Sequence, residues 1–308
     1  MKDKLYKISN YKDMDPFLMT ITSADDHWMY LSSSGCLSAG RQKAEYALFP
    51  YVTDDLLHKN AHFTGPITCV SAQQDNIEYL WLPFSNQIDS YKKDQNLYKN
   101  SLGNKIVFEE INHSLGLTFI YSWQASAEYG FIKKTKLINH SGKETNIKLV
   151  DGLRNILPAG VGLRTQQEMS NLANAYKVCE CDANYNYALY YMNALLMDKP
   201  DPGESLFSNI VWAYSEEDIR LSVNEKSIRS FLSEQSFTED RLLKGKEGNF
   251  LCYINNSLDP DDTICWYIIA DVQKSQSDIS KILLDVKTSG TIKQKIDKSI
   301  QDNYNTFE

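Results

Sequence analysis

What this sequence lacks narrows its chemistry first. No long apolar stretch is present; a run such as Cys265–Ala270 falls far short of the roughly 20 residues a membrane-spanning helix needs. There is no block of clustered Lys or Arg, and the net charge is −8, so the electrostatic footprint of a nucleic-acid or anionic-membrane partner is missing. The opening residues, Met1-Lys-Asp-Lys-Leu-Tyr-Lys7, contain no apolar core that could act as a signal peptide, which leads us to expect a cytoplasmic location. With only 14 Gly and 8 Pro, neither a fibrous repeat nor a low-complexity chain is supported. The six cysteines show no disulfide framework. Cys179 and Cys181 are too close for the usual metal knuckle. Cys252 and Cys265 could face each other across a hairpin turned near Leu258, but buried thiols packing as small hydrophobes fit the scatter better.

What is present points to sheet. The chain has 19 Tyr and 12 Phe, whose flat rings suit a pleated, half-buried surface. Apolar residues recur at every second position in Phe17–Ile21, Leu117–Trp123 and several later runs. Ile106–Ile111 should pair with Leu117–Trp123 across His113-Ser-Leu-Gly116. Tyr129–Ile138 and Thr145–Val150 flank the turn-forming Asn139-His-Ser-Gly142 and read as a further hairpin. Strands are expected again at Tyr185–Leu196, Phe207–Tyr214, Asn249–Asn255 and Thr263–Asp271, with Ser227–Gly248 as a long loop containing some helix. The adjacent runs lack the strand–helix alternation of a parallel sheet, so the expected class is mainly β and antiparallel.

Helical spacing appears in two places. Thr165 and Glu168 form a capping-box pattern ahead of a stripe of Met169, Leu172, Ala173 and Tyr176. Near the C-terminus, Ser275 with Asp278 precedes Ile279, Ile282, Leu283 and Val286. Thr291 with Gln294 then precedes Ile292, Ile296 and Ile300. These two helices fit a linker to a further domain, or equally a helical hairpin packed on the surface.

Most motif-like features have bland explanations. Gly160-Val-Gly162-Leu-Arg-Thr165 has Thr where a dinucleotide loop has its third glycine, and no parallel unit follows. Ser38, between Gly35 and Gly40, misses the nucleophile-elbow spacing and reads as a hairpin residue. His58 and His62 lie four apart, without a convincing helix or a third ligand, so no metal is expected, nor any cofactor. The acids Asp25-Asp26, Asp54-Asp55, Glu109-Glu110 and Asp261-Asp262 are immediate neighbours. On a strand such pairs point to opposite faces and cannot flank a glycosidic bond. Only Asp54-Asp55, after Leu48-Phe-Pro-Tyr-Val-Thr53, lies in an irregular aromatic-rich segment suited to a site. The informative stretch runs from His27-Trp-Met-Tyr30 through Arg41 to Tyr51-Val-Thr-Asp54-Asp55. It combines aromatic faces for sugar C–H surfaces with charged groups for hydroxyls. Trp28, Tyr30, Arg41, Tyr51, Asp54, Asp55 and Trp81 are the candidate contact residues. An aromatic-rich interface between domains would account for the same residues.

Two stretches carry a family resemblance: His27–Asp55 and Asn139-His-Ser-Gly-Lys-Glu-Thr-Asn-Ile-Lys-Leu-Val-Asp-Gly-Leu-Arg-Asn-Ile-Leu-Pro158. They resemble the N-terminal region of large bacterial proteins related to cellobiose phosphorylases and allied glycoside hydrolases. The resemblance implies an antiparallel β-supersandwich of the galactose-mutarotase type over residues 1–272. It implies a helical linker over 273–308, leading to an (α/α)6 barrel beyond Glu308. In such enzymes the general acid sits on the barrel, so no catalytic residue is expected here. The expected role is a non-catalytic domain that packs on the barrel in cis and shapes an oligosaccharide site. A free-standing sugar mutarotase or epimerase, or a carbohydrate-binding module stacking sugar on Trp28, Tyr51 or Trp81, remains an alternative, and a homodimer stays open.

Overall fold

Alternating apolar and polar side chains become three antiparallel sheets in the computed structural model, which describes residues 4–85, 90–194, 205–288 and 290–307. The largest sheet has ten strands. In spatial order they are β1 (Leu5–Ile8), β8 (Lys93–Asn100), β9 (Ile106–Asn112), β10 (Leu117–Ser126), β11 (Gly130–Asn139), β19 (Thr263–Lys274), β15 (Ser208–Ser215), β14 (Tyr187–Met192), β13 (Lys177–Asp182) and β17 (Leu242–Lys244). A five-stranded sheet follows the order β16 (Arg220–Ser222), β18 (Gly248–Leu258), β12 (Thr145–Ile156), β6 (Gly65–Gln74) and β7 (Ile77–Trp81). A four-stranded meander comprises β2 (Leu18–Ile21), β3 (His27–Ser32), β4 (Leu37–Arg41) and β5 (Ala47–Phe49). Six α-helices are described: α1 (Asp54–Lys59), α2 (Leu163–Glu168), α3 (Ser170–Tyr176), α4 (Lys226–Glu234), α5 (Gln276–Thr288) and α6 (Ile292–Asn305). The protein is a mainly β sandwich. None of its described helices is long and apolar enough to cross a membrane.

One hydrophobic core joins the sheets. Phe119, Trp123 and Trp266 from the ten-stranded sheet meet Leu149, Leu153 and Phe250 from the five-stranded sheet and Met29, Leu31 and Leu37 from the meander. The expected β9–β10 hairpin forms, with Tyr121 opposite Phe108. The hairpin expected across Asn139–Gly142 does not form, nor does the one considered near Leu258. β11 and β12 lie in different sheets, so Asn139–Gly142 carries the chain across the sandwich. β18 and β19 cross in the same way. The two crossings pack side by side because β11 pairs with β19 while β12 pairs with β18. The buried Asn139 side chain ties them together, donating to the carbonyls of Lys143, Leu258 and Asp259. Cys252 therefore faces the core and Cys265 the opposite side of the other sheet; all six cysteines are free. Burial pushes the Cys36 and Cys69 thiols up to about 12, as inert packing groups.

Helix expectations divide. Ser275 and Asp278 form a true capping box: Ser275 donates its backbone N–H to the Asp278 carboxylate (3.1 Å), and the Asp278 N–H returns to Ser275 Oγ (3.3 Å). Helices α5 and α6 then pack on the outer face of the ten-stranded sheet. Ile292 and Ile296 are buried there against Tyr129, Ile132, Trp212, Tyr267 and Ile269. That apolar cluster spans both sides of residue 272, and β19 is consequently covered on both faces. The helix expected from Thr165 to Tyr176 is instead two short ones, broken at Met169, and α2 starts after Gly162. Its expected stripe is not buried as one face, since Leu172 remains exposed. Residues 195 and 196 of the expected strand ending at Leu196 lie outside the described residues.

Across the centre of the sandwich, Lys133 on β11 reaches Asp151 on β12. Its Nζ lies 2.6 Å from both carboxylate oxygens, and both side chains are wholly buried. Asp151 also accepts from Thr68 Oγ1 (2.7 Å), Trp266 Nε1 (2.7 Å) and Thr135 Oγ1 (3.5 Å). Removing one partner leaves an unpaired buried charge. Lys133→Met should lower the unfolding free energy by about 3–5 kcal/mol in urea denaturation. A loss below about 1 kcal/mol would contradict a structural role for the pair.

Candidate functional site

Strand alternation separates the aromatic residues of β3 from its core residues. Met29 and Leu31 point inward, while Trp28 and Tyr30 share the outer face. Their rings are 6.1 Å apart and inclined by 33°. Tyr51, placed just beyond β5, meets Trp28 edge-on at 5.4 Å. Gly40 lies opposite Trp28 in the β3–β4 ladder, and a Cβ there would run into the indole. Only glycine lets that ring lie down on the neighbouring strand. Tyr30 is 36% exposed and Tyr51 40% exposed, so this face presents aromatic surface outward. Ser38, beside Tyr30 in the ladder, is buried and donates to the Pro50 carbonyl (2.8 Å), consistent with a hairpin residue rather than a nucleophile.

Two of the sequence-derived candidates point elsewhere. Trp81 is only 2% exposed; its Nε1 donates to Glu110 (2.7 Å), within a buried cluster where Gln95 and the Phe84 amide also donate to that carboxylate. Its alternating position at the end of β7 turns it into the core, so it offers no surface to a sugar. Arg41 turns away from the aromatic face. Its Nε donates to Asp26 (2.6 Å) and its Nη1 to Asp271 (3.1 Å), which also pairs with Lys274 (2.5 Å). This cluster pins the meander to the end of β19. His27 packs beside it, edge-on to Phe131 at 5.1 Å. Burial, and then the Arg41 cation, push the His27 imidazole down to about 4 against the opposing pull of Asp271 and Asp26.

Asp54 and Asp55 lie in the first turn of α1, where carboxylates suit the exposed N–H groups. Thr53 Oγ1 donates to Asp55 (2.6 Å), and its carboxyl is held below the usual range chiefly by that bond. Asp54 approaches His58 Nε2 (3.3 Å), while His58 Nδ1 contacts Ser32 Oγ (2.7 Å), which in turn contacts Ser34 Oγ (2.6 Å). The residue order resembles a nucleophile relay, but Ser32 is fully buried and cannot meet a substrate. A short helix does carry His58, and among the described residues no cluster of three metal-ligating side chains is found.

Sequence reasoning missed a cleft of about 400 Å³ at the end of the five-stranded sheet. Its walls include Phe63, Arg154, Asn155, Asn224, Lys226 and Lys246. The β12–β18 ladder shifts register between Arg154 and Ile156, with Asn155 in the left-handed region at φ 57°. That bulge redirects Arg154 at the strand end. Arg154 donates from Nη1 to the His62 carbonyl and from Nη2 to the Ala61 carbonyl (3.1 Å). Its position within Asp151-Gly-Leu-Arg154 marks a strand end, but the bulge that aims it has no glycine or proline to announce it.

No protein-family model and no curated protein sequence matches the chain. Solved structures with partial likeness include a bacterial glucoamylase complexed with acarbose, at 10% identity and a TM-score of 0.40 over 99% of this chain and 40% of that one. A putative kojibiose phosphorylase from human microbiome gives 13% and 0.40 over 80% and 28%. A GalM/aldose epimerase homologue from C. elegans gives 9% and 0.44 over 85% and 100%. The chain thus spans well under half the length of the first two. Likeness at this level says nothing about chemistry, which has to be read from the residues.

His27 gives this region a measurable signature. Its folded pKa of about 4 lies below the 6.5 of an exposed imidazole, so the unfolded chain binds more protons between those values. Its contribution is complete above pH 6.5 and falls as pH drops towards 4, by about 3 kcal/mol in total. A His27→Asn variant should flatten the pH 4–6.5 slope of urea stability. Resonances of the wild-type imidazole should titrate near 4; a midpoint near 6.5 would rule out the buried neutral ring.

Proposed function

We propose that this sandwich is the non-catalytic, carbohydrate-contacting domain of a carbohydrate-active enzyme, a glycoside phosphorylase or hydrolase. In this reading its Trp28–Tyr30–Tyr51 face contributes to a sugar site shared with a catalytic helical barrel in cis. The observation that carries it is the aromatic platform itself: outward rings on a rigid sheet, one of them seated on glycine. Aromatic faces bury sugar C–H surfaces, and the exposed carboxylates of Asp54 and Asp55 follow in the next turn of chain to receive hydroxyls. The resemblance of His27–Asp55 and Asn139–Pro158 to phosphorylase-related proteins supports the same reading.

The buried acids support the assignment of chemistry to another domain. Asp151 is taken by Lys133, Glu110 by Trp81 and Gln95, and Asp271 by Arg41 and Lys274. An epimerase would bring paired histidines and a carboxylate to one sugar. Here His27 is packed on Phe131, His58 on Ser32, His113 on Asp94 and His140 near Asp261, while His62 lines the cleft. Five separate places do not favour that reaction.

Calorimetry of the 308-residue chain against neutral oligosaccharides tests the proposal. Tyr30→Ala and Tyr51→Ala should each weaken binding by about fivefold to tenfold, the equivalent of about 1–1.4 kcal/mol of lost ring contact. Gly40→Ala should weaken it through displacement of Trp28. Unchanged affinity in all three variants would remove the platform from the sugar site.

A further inference from the structure

The cleft beside Arg154 has charge that the fold leaves unanswered. It is lined by four cations, Arg154, Lys226, Arg229 and Lys246, and by two carboxylates, Glu225 and Glu247. This positive excess stands in a chain whose net charge is −8. Arg229 is 3.5 Å from Glu225, and Glu247 accepts from Asn174 Nδ2 (3.1 Å). Among the described residues, no carboxylate lies within ion-pair distance of Arg154, Lys226 or Lys246. The Arg154 guanidinium is also oriented in advance. Two carbonyls hold its Nη atoms, while its Nε–H finds no acceptor among the described residues. Desolvation makes an unmatched guanidinium unfavourable, and a planar fork of donors suits an oxyanion better than any other partner.

The surrounding wall is polar and fixed. Asn155 Nδ2 donates to Thr64 Oγ1 (2.8 Å), and Asn224 Nδ2 to Asp240 (2.8 Å). The first turn of α4 lines the same cleft, but its amides are already occupied: Lys226 N–H by Asn224 Oδ1 and Ser227 N–H by the Asn224 carbonyl. The attraction therefore comes from side-chain cations, not from the helix end. Phe63, 70% exposed, places an aromatic ring among the lining residues. We propose that this cleft binds an oxyanion, phosphate or carboxylate, on Arg154 with help from Lys226 and Lys246. This site is separate in composition from the aromatic platform and does not depend on the sugar-stacking proposal.

Calorimetry on the full chain with inorganic phosphate, glucuronate and glucose at matched ionic strength tests it and separates the two anion sources. At least one of the two anions should bind, and glucose should not compete with it. Arg154→Gln should weaken anion binding by about tenfold. Because Arg154 also holds the Ala61–His62 carbonyls, a Lys226→Ala/Lys246→Ala double variant, altered only at exposed positions, serves as the second arm. It should weaken binding severalfold and reduce its salt dependence. Tyr30→Ala should leave anion binding unchanged. Absence of binding by both anions, or equal affinity in the wild type and both cleft variants, would overturn the assignment.

Discussion

The Lys133–Asp151 pair constrains the alignment of the two main sheets. Lys133 comes from β11 and Asp151 from β12, so the pair forms only when these strands face each other across the core at one register. Thr68 and Trp266 add donors from β6 and β19, bringing four strands to one carboxylate. A one-residue slip of β11 would turn Lys133 outward beneath α5 and α6 and put Lys134 into the core. The native register instead gives Lys134 its own partner outside, Asp297 of α6, at 2.9 Å. Desolvating two charges offsets much of their attraction, so the contribution lies in fixing alignment more than in net stability.

That constraint explains which strands were legible. Alternation in Leu117–Trp123 reveals strand, spacing and inward face, because the strand and its hairpin partner share a sheet. The same reasoning misplaces β11 and β12, although Asn139-His-Ser-Gly142 has suitable turn residues. Local chemistry specifies a reversal but not whether the returning strand pairs or crosses. The deciding contacts are distant: Asn139 to Leu258 and Asp259, Lys133 to Asp151, Trp266 to Asp151. The C-terminal helices show a similar limit. Ile292 and Ile296 announce an apolar stripe, but the surface that receives it is assembled from β11, β15 and β19, far apart in sequence.

The aromatic part of the candidate site was legible because Trp28 and Tyr30 alternate with Met29 and Leu31, and Gly40 supplies the space for the indole. Arg41 and Trp81 belong to the same compositional pattern, but they have internal partners. An Arg at the end of a strand reads alike whether it faces solvent or Asp271 230 residues away. Asp54 and Asp55 were legible as exposed acids, although they are set on a helical turn and not on an irregular segment.

The treatment of charge elsewhere in the fold gives the Arg154 cleft its meaning. Lys133 has Asp151, Arg41 has both Asp26 and Asp271, and Lys134 has Asp297; each of these three cations meets a carboxylate. Arg154 is half-buried, and among the described residues its hydrogen bonds go to carbonyl oxygens, with Glu225 near but beyond ion-pair distance. Carbonyl dipoles orient a guanidinium but do not neutralise it. A cation serving alignment alone would be better placed against one of the chain's 40 carboxylates. Leaving it unmatched within a cleft is useful where the missing charge arrives with a ligand, and the bulge at Asn155 places the unmatched fork there.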